Sequence, residues 1–166
     1  MPLYNRNASS QYAIRYALRA NPEYPPFEND CTSFVSQCLL AGGWTMIDGG
    51  RKDGDVWWWG LSMWSKASYT WGGAHNFSQF LTASGRGKAC AESELKLGDV
   101  VQCAENNHVF HSTLVTATGV LCTADGDGPF LSYHTNNTLN KDLTTFKAAF
   151  KPSVTFLYWK IANEFK

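Results

Sequence analysis

Cys31 is the residue of this sequence whose type and position most directly suggest chemistry. It follows Asp30 at the start of an apolar segment, residues 31–41, within the stretch FENDCTSFVSQCLLAGGW. A cysteine at a helix N-terminus lies among unpaired backbone N–H groups at the positive end of the helix dipole, and both favour the reactive thiolate. The adjacent carboxylate of Asp30 opposes that effect. Position alone therefore leaves two interpretations open, a nucleophile and a small buried apolar residue.

The cysteine pattern argues against two further roles for this thiol, disulfide formation and metal binding. The chain has five cysteines, an odd number, and no two of them form a CxxC pair. A structural zinc site is therefore not expected, and at least one thiol of a single chain stays free. Cys90 lies in a loop and has no evident role. We interpret the remaining cysteines as core residues, namely Cys38, Cys103 and Cys122.

A nucleophilic cysteine needs a base, and the base needs a group that orients it. Of the four histidines, we expect His75 and His108 to lie in surface loops. His111 begins the strand-like run HSTLVTA, and the next such run, followed by a turn, contains His134 and Asn136. If the two runs form an antiparallel hairpin, His111 lies near the other two, which share a face because strand side chains alternate. The sequence thus predicts a Cys–His–polar set, with a chance grouping of core histidines as the alternative.

The elements that would position these residues are helices in the first half of the chain and strands in the second. Ser9 or Ser10 is suited to begin the first helix and Asp30 the second, which Gly42 and Gly43 end. An α+β domain with N-terminal helices packed on a C-terminal antiparallel sheet follows from this order. From apolar periodicity we predict helices over 9–20, 31–41 and 76–83. From β-branched and aromatic runs we predict strands over 99–104, 111–117, 129–135 and 154–161.

Length and charge limit the classes of function. With 166 residues, the chain is expected to form one domain over residues 1–166, and Lys plus Arg equals Asp plus Glu at 14 each. Because no basic stripe stands out, we expect neither nucleic acid nor an anionic membrane surface as a partner. No signal peptide and no apolar run long enough to span a bilayer is recognised in the sequence, which favours free thiols over disulfides.

The tryptophan-rich segment 57–71 has two interpretations. It includes Trp57, Trp58, Trp59, Trp64 and Trp71 of the seven tryptophans in the chain. The first interpretation is core packing with a lid over the helical half. The second is a groove beside Cys31 in which Trp58, Trp59 and Trp71 stack on a saccharide or peptide. The Asp/Gly-rich segments 48–55 and 124–128 lack calcium-loop spacing, so we expect turns there and no metal site.

The order of these motifs resembles the putative amidase domain family. The motifs are YNRNASSQYAIRYA, NPEYPPFENDCTSFVSQCLLAGG, LGDVV and HSTLVT followed by SYHTNN, and they extend from about Tyr4 to Ile161. The most specific piece is the run from Asp30 to Gln37 with the following Ala-Gly-Gly. That family is similar to the CHAP-type, papain-like cysteine hydrolases of bacterial cell walls.

The resemblance implies a papain-like fold with Cys31 as nucleophile and His111 as base. Either His134 or Asn136 would orient the imidazole. The implied enzyme is a peptidoglycan hydrolase without a cofactor that cuts an N-acetylmuramoyl-L-alanine bond or a peptide bond of the stem or bridge. A phage endolysin would be made in the host cytoplasm and act on the cell wall after release, as a monomer. The alternatives are a non-catalytic, Trp-rich wall-binding module and a papain-like toxin that acts on host protein.

Overall fold

The computed structural model of the chain describes residues 2–60 and 66–165. It is an α+β structure in which four helices of the first half cover one face of an antiparallel sheet and a short fifth helix packs on the other face. The helices are α1 (Arg6–Tyr16), α2 (Cys31–Ala41), α3 (Tyr69–Gly72), α4 (Ala74–Ala83) and α5 (Leu143–Ala148), with a 3₁₀ turn at Glu92–Glu94.

The sheet has six strands in the order β1-β6-β2-β3-β4-β5, and all neighbours pair antiparallel. The strands are β1 (Gly87–Ala89), β2 (Val100–Glu105), β3 (His108–Ala117), β4 (Phe130–Tyr133), β5 (Thr138–Asp142) and β6 (Thr155–Ile161). The predicted hairpin partners β3 and β4 do pair, across a long connection over residues 118–129. The predicted α+β architecture is therefore confirmed.

The two faces of the sheet bury different clusters, and alternation along the central strands separates them. Val100 and Leu114 pack with the helices, whereas their neighbours Val101 and Val115 pack on the opposite face beside Phe146 of α5. Because helices cover both faces, β2 is buried over Val100 to Ala104 rather than on alternate residues. The first cluster holds α2 in place, and the second forms the floor beneath His111.

The predicted start of the first helix and the predicted cap of the second were wrong for physical reasons. The first helix begins at Arg6 because the Asn5 side chain accepts a hydrogen bond from the Ala8 N–H at 2.9 Å. Ser9 and Ser10 instead lie buried inside the helix. The helix α2 has the predicted bounds, and Gly43 at φ 98° supplies the left-handed residue that ends it. Its N-cap residue Asp30, however, makes no side-chain capping bond.

A partly buried ion pair ties the N-terminal helix to the sheet. The Arg6 guanidinium donates to the Asp99 carboxylate at 2.6 Å and to the carbonyls of Leu97 and Ile161. The Asp99 side chain is fully buried. A buried carboxylate needs both a counterion and hydrogen bonds. This pair therefore holds the start of α1 against the segment before β2 and the last residue of β6.

Candidate functional site

Cys31 is the first residue of α2 and is buried, with 4% of its surface exposed. The next residue, Thr32, shares a 2.8 Å hydrogen bond between its hydroxyl and that of Ser112 on β3. Ser112 directly follows His111 in the chain. This bond therefore fixes the N-terminus of α2 against the strand that carries the predicted base.

His111 lies on β3 opposite Cys103 of β2, at a break in the strand register. Cys103 pairs with His111 and Ala104 pairs with Val109, so Phe110 is the extra residue of a β-bulge. β-bulges are common next to active sites, where they change the direction in which a side chain points. The Tyr133 ring meets the imidazole edge to face at 5.1 Å, and this aromatic surrounding leaves 8% of His111 exposed.

Burial lowers the pKa of His111 from 6.5 to about 4. The uncharged imidazole is therefore the form present near neutral pH, and it is the form that can accept a proton. Within the described part of the chain, no hydrogen bond reaches either nitrogen of this ring. Cys31 lies close enough to Cys103 to contribute to raising the pKa of that buried thiol to about 12, with burial as the main cause.

Cys31 and His111 line the same cavity, whose volume is about 390 Å³. This volume falls within the range of small-molecule sites. Its polar lining comes from Asn29, Thr135, Asn136 and Lys141 in addition to Cys31 and His111. Its apolar wall is mostly aromatic and consists of Phe110, Tyr133, Phe146, Ala149 and Phe150. A thiol, an uncharged imidazole and an apolar wall in one concave site provide the groups needed for nucleophilic attack on a carbonyl.

His134 lies apart from this cavity. Its Nδ1 is 2.8 Å from the Asp30 carboxylate, and its Nε2 is 2.8 Å from the Tyr16 carbonyl oxygen. The ring stacks on Phe34 at 4.1 Å and is 2% exposed. With both nitrogens bound elsewhere, His134 has no nitrogen left for His111. This placement also explains why Asp30 does not cap α2.

Asn136 does border the cavity, but not as part of a strand. The strand β4 ends at Tyr133, and Thr135 and Asn136 adopt left-handed backbone angles of φ 61° and 67°. The expectation that His134 and Asn136 share a strand face was therefore wrong, because a turn sends them to different sides. The Thr135 hydroxyl is buried with no partner among residues 2–60 and 66–165. A β-branched residue in this conformation is a strained feature typical of functional sites.

The tryptophans mostly belong to the core. Trp57 and Trp71 are fully buried, and their indole N–H groups donate to Ser36 and Ser33 of α2. Trp58 is 2% exposed. Trp58 and Trp71 thus have no open ring face for a substrate, which corrects the groove interpretation for these two residues. Trp64 lies outside the described residues.

Trp59 is half-buried and borders a second cavity of about 550 Å³, beside Phe27 and Tyr69. The two cavities have no lining residue in common, although Phe27 and Asn29 place them next to each other along the chain. Any contact of Trp59 with a substrate would therefore lie outside the cavity of Cys31.

None of the remaining cysteines and histidines lines this cavity. Cys38 is fully buried, as predicted, whereas Cys122 is exposed rather than a core residue. The rings of His75 and His108 stack at 4.8 Å, and the His75 Nδ1 accepts a hydrogen bond from the Val109 N–H. No group of three or more potential metal ligands occurs among the described residues.

A family model described as "Putative amidase domain" matches residues 3–159. The chain belongs to this family. The match covers every element named above except the last residues of β6. Membership in the putative amidase domain family makes amide hydrolysis the expected class of activity.

Two relatives are proteins of Bacillus subtilis (strain 168). This family member is 30% identical over 169 residues to the one called uncharacterized protein YhbB, covering 97% of this chain and 51% of the relative. It is 27% identical over 145 residues to uncharacterized protein YjcM, covering 82% of this chain and 32% of the relative. The chain thus spans about half or less of each relative. No solved structure matches it.

Sequence reasoning missed Lys141, Asn29 and the aromatic wall. Lys141 lies on β5, a strand whose sequence TLNKD lacks the β-branched and aromatic density that marks the others. Phe110 precedes the run that was expected to begin the strand. The signal that could have identified Lys141 is a lysine in a partly buried, aromatic setting. That setting is visible only once the pairing of β5 with β4 is known.

No helix in the described ranges is long and apolar enough to cross a membrane.

Proposed function

We propose that this protein is a cysteine-dependent amidohydrolase that cleaves an amide bond of peptidoglycan. The observation that carries the proposal is the shared cavity of Cys31 and His111. Family membership supports an amidase, and a thiol beside an uncharged imidazole is a known means of attacking an amide carbonyl. We extend the proposal to a papain-like fold related to the CHAP-type hydrolases. This chain and those enzymes both have the cysteine at a helix N-terminus and the histidine on an adjacent strand.

The proposed reaction has two steps. His111 takes the proton of the Cys31 thiol, and the thiolate sulfur attacks the amide carbonyl carbon. The resulting imidazolium gives its proton to the nitrogen of the leaving amine, so the C–N bond breaks and a thioester remains. His111 then takes a proton from water, the hydroxyl attacks the thioester, and the carboxylic acid leaves as the proton returns to the Cys31 sulfur.

The negative charge that develops on the carbonyl oxygen needs hydrogen-bond donors. The Phe34 N–H donates to the Asp30 carbonyl, which begins the helical hydrogen-bond ladder. The Cys31 N–H precedes that ladder and is our first proposed donor. Asn29 lines the same cavity, and its side-chain amide is our second.

Asn136 is the proposed residue that orients His111. It lines the cavity and is exposed, whereas His134 uses both nitrogens on Asp30 and Tyr16. No hydrogen bond joins Asn136 to His111 in this structure, and hydrogen bonds of catalytic groups often form only once substrate is bound. We therefore assign His134 to positioning and Asn136 to orientation.

The two alternative functions differ in their support. A wall-binding module would use exposed tryptophan rings, but Trp58 and Trp71 are buried. A toxin that acts on host protein would use the same thiol and imidazole, and it stays a prediction. The phage origin, the synthesis in a host cytoplasm with later action on the wall, the monomeric state and the absence of nucleic-acid and membrane partners also stay predictions.

Digestion of purified peptidoglycan by the wild type and by Cys31→Ala tests the proposal. We expect new amine termini without new reducing sugar ends in mass spectra of the wild-type digest, and neither with Cys31→Ala. Cys122→Ser, which changes an exposed thiol, is the matched control and should digest normally. Release of amines by Cys31→Ala would refute the assignment of the nucleophile, and new reducing ends would indicate a glycosidase instead.

Selective alkylation gives a second readout of the same site. Iodoacetamide at neutral pH should label Cys31 faster than Cys122, although Cys122 is the more exposed. His111→Gln should slow the labelling of Cys31 alone. Equal labelling rates governed only by exposure would contradict an activated thiol.

A further inference from the structure

Lys141 is the one lysine, arginine, aspartate or glutamate among the described residues that line the cavity of Cys31 and His111. It lies on β5, opposite Leu131 of β4, and is half-buried. The low pKa of His111 keeps that imidazole uncharged near neutral pH. The cavity therefore carries a positive charge at one side and no carboxylate in its lining.

Within the described ranges, no carboxylate lies within ion-pair distance of Lys141. Two other lysines of the C-terminal half do have such partners: Lys147 pairs with Glu92 and Lys151 with Glu105. A cation that is partly removed from water without a counterion loses hydration and gains nothing in return. An anion that enters the cavity would compensate for that loss.

The carboxylates next in sequence to Lys141 and to Cys31 are bound elsewhere. Asp142, next to Lys141, accepts hydrogen bonds from the N–H groups of Gly128 and Thr145. Asp30, next to Cys31, holds His134. Neither carboxylate is a lining residue of the cavity. Lys141 therefore lines the cavity without an ion-pair partner among the described residues.

We propose that Lys141 is a specificity residue that binds a carboxylate of the substrate close to the scissile amide. The inference rests on the proposed function and adds to it the chemical class of the substrate, an acidic peptide amide rather than a neutral one. Peptidoglycan stems offer such carboxylates on their acidic residues and at their C-terminus. The mostly aromatic wall makes the surroundings of this charge less polar than water, which strengthens the attraction between ammonium and carboxylate.

The test uses pairs of muropeptides that are identical except that one carboxylate of the stem is replaced by a carboxamide, taken at each position in turn. For at least one pair, the wild type should cleave the acid with a kcat/KM roughly 10- to 100-fold above that of the amide, as expected for a hydrogen bond between charged groups. Lys141→Met, which keeps the length of the side chain, should remove this preference by slowing cleavage of the acid only. Lys141→Arg should restore most of it.

Lys151→Met is the matched control, because it removes a lysine that has a carboxylate partner and lies outside the cavity; it should keep the wild-type preference. A merely structural role of Lys141 would lower cleavage of acid and amide alike. That result, or a wild type that cleaves every pair equally, would overturn the inference while leaving the proposed function intact.

Binding measurements test the role of Lys141 independently of the proposed nucleophile. Calorimetric titration of the Cys31→Ala protein with the same pairs should show tighter binding of the acid, and the difference should vanish when Lys141→Met is added. Equal affinities for acid and amide would overturn the role of Lys141. Cleavage that persists in Cys31→Ala would instead overturn the proposed nucleophile.

Discussion

Replacing His111 by glutamine should flatten the dependence of folding stability on pH between about 6.5 and about 4. Burial lowers the pKa of this imidazole from 6.5 to about 4 in the folded chain. Above pH 6.5 the ring is uncharged in both the folded and the unfolded states, and its contribution is constant. As the pH falls, the unfolded chain binds the proton first, so stability is lost until the folded ring also protonates near pH 4.

The size of this loss follows from the two pKa values. The interval from 6.5 to about 4, at 1.36 kcal/mol per pH unit, corresponds to about 3 kcal/mol. Such a loss is a large share of the stability of an ordinary domain. The conversion is appropriate here because His111 is only 8% exposed.

Urea unfolding at a series of pH values between 4 and 7 measures the effect. The free energy of unfolding of the wild type minus that of His111→Gln should decrease by about 3 kcal/mol from pH 7 to pH 4. His108→Gln is the control, because it removes an exposed imidazole from the same strand. A His111→Gln protein that loses stability with acid as steeply as the wild type would refute the reasoning, since the buried ring would then not be held uncharged.

Three further substitutions test contacts that position the site. Arg6→Met leaves the buried carboxylate of Asp99 without its cation and should lower the free energy of unfolding by about 3 kcal/mol in urea titrations; a loss under about 1 kcal/mol would contradict a buried pair. Asp30→Asn removes the charged partner of His134, so we expect a loss of about 2 kcal/mol and slower alkylation of Cys31; unchanged values for both would count against the positioning role. Gly98 has φ 77°, and a Cβ added there would lie 2.7 Å from a buried tyrosine hydroxyl. Gly98→Ala should therefore lower the melting temperature, and an unchanged melting temperature in a thermal scan would contradict this.

The parts of the fold that could be predicted are those where local pattern and tertiary packing agree. The helix α2 was predicted with its observed bounds, since its apolar stripe, buried in the core, ends at two glycines. The pairing of β3 with β4 followed from two apolar runs in sequence. Cys31 and His111 were proposed from residue type, position and the family resemblance; they line one cavity, and their catalytic roles stay predictions.

The parts that could not be predicted depend on contacts between residues far apart in sequence. The strand-like run before Asn136 gives no sign that Thr135 takes a left-handed angle, so alternation was extended two residues too far. The strand β5 has weak propensity and exists because it pairs with β4. Lys141 on that strand could be connected with the site only after the pairing was known.

A single contact between Asp30 and His134 bears on two expectations from the sequence. Asp30, next to the proposed nucleophile, was expected to cap α2 and to oppose a thiolate, and His134, 104 residues further along the chain, was one of two residues expected to orient the base. In the structure the two side chains bind each other. Both ring nitrogens of His134 face acceptors, the Asp30 carboxylate and the Tyr16 carbonyl. Because Asp30 binds this ring, it makes no side-chain hydrogen bond to the first turn of α2, and it holds His134 away from the cavity of Cys31 and His111.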